Sequence, residues 1–130
     1  MKVYFFIITH GDMGLEMVNT AQVIAGKQDD MFIESVSFED SPESLDERVT
    51  ELLNSVAESG NILFFVDMKG GTPWNTVMKN SGRRNSICLA GVNLPMLLEA
   101  IIKRSNGGSI SDIAEAALKT GKAAIVRKDF

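Results

Sequence analysis

Two short runs, Val3 to Thr9 (VYFFIIT) and Ile62 to Val66 (ILFFV), are continuously apolar and rich in β-branched and aromatic residues. That pattern predicts strands covered on both faces. Phe32 to Phe38 (FIESVSF) alternates apolar and polar residues instead, which predicts a strand with one wet face near a sheet edge. Between these runs the spacing turns helical. Leu15, Val18, Ala21 and Ile24 share one face of a helix stopped near Gly26. A Ser44-x-x-Glu47 capping box precedes Val49, Leu52, Leu53 and Val56. Pro73, with Thr72 as N-cap, opens a third helix, and Pro95 opens a fourth carrying Leu97, Leu98, Ile101 and Ile102. Ile87 to Ala90 reads as a strand, Ser111 to Lys119 as a helix ended by Gly121, and Ala123 to Val126 as a fifth strand.

Strands and helices thus alternate along one domain spanning residues 1–130. The alternation predicts an α/β fold: an open, mainly parallel five-stranded sheet, order 2-1-3-4 with a C-terminal edge strand, and helices on both faces. Ligands of such sheets bind beyond the carboxyl ends of the strands, where the strand order reverses. Thr9-His10-Gly11, Asp67 to Thr72 and Gly91-Val92-Asn93 fall at those ends.

Composition narrows the chemistry. A chain of 130 residues, 45% apolar and 23% charged, is an ordinary globular domain. Seventeen acidic against thirteen basic residues, a net charge of −4 and no Lys/Arg stripe exclude charge-driven binding of nucleic acid or anionic lipid. One His and one Cys cannot build a structural zinc site, and one Cys makes no internal disulfide. The seven-residue run after Lys2 is far short of the roughly 20 residues of a membrane span. Cys88, inside an apolar strand, reads as an inert core thiol.

With strands one and three adjacent, His10 and Asp67 face each other. A carboxylate bonded to Nδ1–H would fix the tautomer, leave Nε2 free to attack, and stabilise the cation that forms. Gly70, Gly71 and Thr72, followed by a helix start, supply the parts of an anion cradle with Gly11 nearby. Met68, Lys69, Trp74 and Asn93 are weaker candidates for the pocket wall. Each feature alone has a plainer reading: a hydrogen-bonded structural His, a turn-capping Asp, a tight glycine turn entering a helix, and a packing Trp. Their convergence on adjacent strand ends favours a phosphoryl-transfer site without metal or other cofactor. No Walker-type G-x-x-x-x-G-K-[ST] is present, so direct nucleotide binding is not indicated.

Thr9-His10-Gly11, the strand ILFFVD with Gly70-Gly71-Thr72-Pro73-Trp74-Asn75, and Gly91 to Met96 resemble the IIA domain of the mannose-type (mannose/fructose/sorbose) bacterial sugar phosphotransferase system. The resemblance covers nearly the whole chain, although Thr72 and Trp74 stand where Ser and Phe are frequent. It implies that His10 accepts a phosphoryl group from the carrier HPr and passes it to a IIB component. The sugar then enters through membrane subunits IIC and IID. It also implies a cytoplasmic homodimer exchanging C-terminal strands, here Ala123 to Val126. The chain stops at Phe130 with no IIB domain, so the acceptor is expected to be a separate protein, or the chain a truncated one. Three other readings stay open. These are a receiver-like switch phosphorylated on Asp67, a regulatory module that changes partners, and the phosphoryl-donor subunit of a dihydroxyacetone kinase. A receiver would need an acidic pair near the end of strand one, where only Asp12 stands.

Overall fold

A computed structural model describes residues 2–130, Arg83 by its backbone alone. Its strands are β1 (Val3–His10), β2 (Met31–Val36), β3 (Asn61–Val66) and β4 (Ser86–Ala90). The α-helices are α1 (Met13–Ala25), α2 (Pro42–Ser55), α3 (Thr72–Asn80), α4 (Leu94–Ser105) and α5 (Ile110–Ala123). The sheet is parallel throughout, in the order β2-β1-β3-β4, so the chain reverses its winding between β1 and β3.

The continuous apolar runs are explained by two cores, one on each side of the sheet. Phe5, Ile7, Leu63 and Phe65 point to the side covered by α1, α4 and α5, meeting Val18, Ala21, Leu97, Ala100 and Ile113. Phe6, Ile8, Ile62, Phe64 and Val66 point to the side of α2 and α3, meeting Leu45, Val49, Leu53 and Val77. Because successive side chains alternate faces, a strand buried on both must be apolar at every position. Phe5, Phe6, Phe64 and Phe65 are all buried to 1% exposure or less. Each such side chain contributes about 1.5–3 kcal/mol from burial, which makes β1 and β3 a stiff frame for whatever their ends carry.

The sheet has four strands among the described residues, and the expected fifth, Ala123 to Val126, does not form. Gly121 does not end the last helix. It lies inside α5 at the contact with α4, where an added Cβ would stand 2.9 Å from Met96 Cε and 3.1 Å from Met96 Cβ. This glycine marks a close helix contact, so α5 continues to Ala123 and residues 124–130 follow as an exposed tail without regular structure. Within one chain the tail pairs with no strand of the sheet.

Smaller shifts have similar causes. The N-cap of α2 is Ser41, whose hydroxyl accepts the Ser44 N–H, rather than Ser44 itself. The N-cap of α3 is Gly71, with Thr72 as the first helical residue. Helix α1 buries Gly14, Val18 and Ala21, leaving Leu15 and Ile24 exposed, because it lies against the sheet one position away from the face the apolar spacing suggests. Phe38 lies beyond β2 and is fully exposed.

Candidate functional site

His10 closes β1 and Asp67 follows β3, on the two strands that flank the reversal of winding. His10 Nδ1 lies 2.7 Å from Asp67 Oδ2, and the same oxygen accepts the His10 backbone N–H at 2.9 Å. The other carboxylate oxygen, Oδ1, accepts the Met68 N–H at 2.9 Å. Partial burial by itself would raise the Asp67 carboxyl. The hydrogen bonds from His10 and Met68, with the His10 charge, outweigh it and hold the group below its ordinary value of 3.8. An ionised carboxylate can only accept, so Nδ1 carries the hydrogen, and in the neutral ring Nε2 is left with a bare lone pair. The His10 side chain is 48% exposed and that of Asp67 12%, so the acid is held in the protein while the ring faces outward.

The glycine turn reaches this ring. A Cβ on Gly71 would lie 2.8 Å from His10 Cε1 and 3.5 Å from Nε2, so only glycine lets the turn pass along the imidazole edge. Gly70, at φ +88°, makes the left-handed turn that brings Gly71 there. Helix α3 starts at the next residue. The N–H groups of its first turn lack helical partners, except that Asn75 N–H is bonded to Gly71 O, and Pro73 has no N–H. Thr72 and Trp74 N–H groups therefore remain as donors at the positive end of a helix dipole, in the turn that follows Gly71.

Gly11 follows His10 directly and anchors by its N–H to Val36 O at 2.9 Å. Met68 and Lys69 are exposed in the turn after Asp67. Trp74 is partly buried and packs against the core on the α2 and α3 side. The Asn93 amide is taken up elsewhere: Oδ1 caps α4 by accepting Met96 N–H at 3.0 Å, and Nδ2 donates to Gly121 O at 3.2 Å. It joins α4 to α5, and its side chain is committed to that joint. Cys88 is largely buried, and burial pushes its thiol up to about 12, far from a reactive thiolate. Among the described residues no group of three or more His, Cys, Asp or Glu is placed to hold a metal ion.

One residue of the site was named in the sequence only within Thr9-His10-Gly11, with no role of its own. Thr9 is completely buried, and its hydroxyl accepts the Gly14 N–H at 2.9 Å and donates to Gly11 O at 3.3 Å. Asp12, the N-cap of α1, makes no side-chain capping bond, so Thr9 does that work from the strand below. It thereby ties the turn after His10 to the sheet. The signal was a lone hydroxyl ending an otherwise apolar strand.

The parallel α/β sheet thus carries an acid-paired histidine at its winding reversal, beside a glycine turn and a helix start. The comparisons give the family. The family model described as the PTS system fructose IIA component, EIIA-man, matches residues 4–118. The chain therefore belongs to the mannose/fructose-type IIA components of the sugar phosphotransferase system. It is 30% identical over 124 residues to the PTS system mannose-specific EIIAB component of Escherichia coli K12, covering 94% of this chain and 38% of that protein. The chain thus spans well under half the length of that relative. It is 29% identical over 98 residues to the PTS system fructose-specific EIIA component of Bacillus subtilis, covering 75% of this chain and 67% of that one. The mannose/sorbose-specific IIA subunit of Enterococcus faecalis superimposes with a TM-score of 0.87 at 28% identity, over 100% of this chain and 97% of its own. Proteins of this family are phosphotransferase components. No helix among the described residues is long and apolar enough to cross a membrane.

Proposed function

We propose that this chain carries a phosphoryl group on His10 Nε2, taking it from HPr and passing it to a IIB component. The observation that carries the reading is the 2.7 Å contact of His10 Nδ1 with Asp67 Oδ2. It directs the bare nitrogen to the glycine turn and the start of α3. In the first transfer the bond from phosphorus to the donor's nitrogen breaks as the bond to Nε2 forms. The proton on Nδ1 stays in place, and Asp67 stabilises the positive ring. Free amides at Thr72 and Trp74, and the Thr72 hydroxyl, bind the equatorial oxygens. The second transfer reverses these steps toward the acceptor, so the chain ends unchanged. Neither step needs a metal, because both phosphoryl sites are supplied by protein.

Incubation with labelled phosphoenolpyruvate, enzyme I and HPr tests this reading. The expected label survives alkali and is lost in acid, as phosphohistidine is. Failure to label overturns it, and a label lost in alkali overturns it and points to an aspartyl phosphate.

The same reading gives the tail a role. Ile125 and Val126 are 80% and 81% exposed, and the outer edge of β4 is unpaired within the chain. The resemblance accounts for both if this segment pairs with β4 of a second copy. Sedimentation at micromolar concentration should then show a dimer, and deletion of residues 124–130 should give a monomer; a full-length monomer counts against exchange.

A further inference from the structure

We infer that Phe38, with Met13 and Met68, forms the seat on which the protein phosphoryl donor docks around His10; the inference rests on the proposed carrier role and adds the surface that selects the partner. The three side chains come from the segments that follow three different strands, Met13 as the first residue of α1. Phe38 follows β2, Met13 follows β1 and Met68 follows β3, and in the sheet these strands lie side by side with β1 in the middle. Phe38 is fully exposed, and Met13 and Met68 are 44% and 55% exposed. His10 ends the central strand, its register partner on β2 is Val36, and Phe38 comes two residues later. A half-exposed imidazole therefore ends the middle one of three neighbouring strands, each of which is followed within a few residues by an unburied apolar side chain.

The turn that displays Phe38 is held firmly. Ser37 N–H donates to Asp40 Oδ2 at 2.8 Å, and Asp40 N–H donates to Ser37 O at 3.1 Å. Arg48 then locks the turn to α2 and β2, donating to Asp40 Oδ2 at 3.2 Å, Glu34 Oε2 at 2.9 Å, Ser44 Oγ at 2.8 Å and Ser35 O at 2.8 Å. None of these bonds involves the phenyl ring. A polar residue at the tip would close the same turn, so the ring adds nothing to folding and leaves apolar surface in water. An aromatic ring on a turn already fixed in place loses little entropy on binding, which is the property of an interface anchor.

The charges around the seat define the partner's chemistry. Asp12 and Glu39, on the loops after β1 and β2, and Glu16 and Glu43, in the first turns of α1 and α2, are exposed, against Lys69 alone in the turn after β3. A matching donor surface presents an apolar face bordered by basic side chains, as complementarity across a charged rim favours encounter of the right partner. The outward-facing ring leaves room for a protein surface to close over it.

Phe38→Ala tests the seat. Transfer from phosphorylated HPr should show a KM raised about tenfold or more with kcat little changed. Labelling of His10 by phosphoramidate, a donor too small to use the seat, should proceed at the wild-type rate. Phe38→Leu should recover part of the loss, and Glu39→Lys should raise the KM for HPr further at low salt than at high salt. An unchanged KM for HPr in Phe38→Ala overturns the inference, as does equal slowing with both donors, which would mean a damaged site. Wild-type protein that neither donor labels would overturn the carrier role itself, and the seat with it.

Discussion

His10→Gln is expected to take up no phosphoryl group from phosphorylated HPr, while folding with the melting temperature of the wild type to within a few degrees. The first half follows from the inventory. The chain has one His, its one Cys carries a thiol pushed up to about 12, and no other side chain at the strand ends offers a neutral nitrogen lone pair. The second half follows from position, because the His10 side chain is 48% exposed and lies outside both apolar cores. Surface changes of this kind usually stay within about 0.5 kcal/mol, and the lost Asp67 contact adds a modest cost. Labelling under saturating HPr, read beside a thermal melt, checks both halves. Label retained on His10→Gln places the phosphoryl group elsewhere and removes the proposed role.

Asp67→Asn should slow phosphoryl transfer by at least about 10²-fold, equivalent to about 2.7 kcal/mol of barrier, with the fold intact. Asn keeps the shape and can still accept one hydrogen bond, but it carries no charge to stabilise the ring once Nε2 has been phosphorylated. Its amide N–H₂ can also face Nδ1, which favours the wrong tautomer and turns the nucleophilic nitrogen into a donor. A second readout separates this from simple structural damage. The Asp67 carboxyl is held below its ordinary value of 3.8 in the folded chain, so its contribution to stability is complete above that value. As pH falls through the lowered folded value the contribution is lost. Asp67→Asn should therefore be less stable than wild type at neutral pH and approach it toward acid. Single-turnover rates and melts as a function of pH measure both effects, and an unchanged transfer rate would remove Asp67 from the mechanism.

Much of this could be read before any coordinates. The runs VYFFIIT and ILFFV could only be strands buried on both faces, because no other element of that length hides every side chain. With their neighbours alternating between helix and strand, a parallel sheet followed. His10 and Asp67 could be paired because strand-end position is a matter of chain order. Where the reading fell short, glycine and surface residues were involved. Gly121 looked like a helix stop, and its actual constraint, the approach of Met96 from α4, lies 25 residues away in sequence. Leu15 and Ile24 looked like core because they share a helical face. The face that α1 buries is chosen by the fit of Gly14 and Ala21 against the sheet.

The chain by itself determined the class of fold, the one histidine available for chemistry and the acid that could orient it. These depend on local periodicity and on which residue types are present at all. Tertiary structure decided which atoms meet: Nδ1 rather than Nε2 on Asp67, Gly71 rather than Thr72 as the N-cap of α3 and against the ring, and Thr9 holding the next turn from below. It also decided that Phe38, written in the sequence as the end of a strand, stands in solvent beyond β2. Those outcomes depend on distances between segments tens of residues apart, which are set by packing two cores against one sheet and leave no periodic trace in the chain.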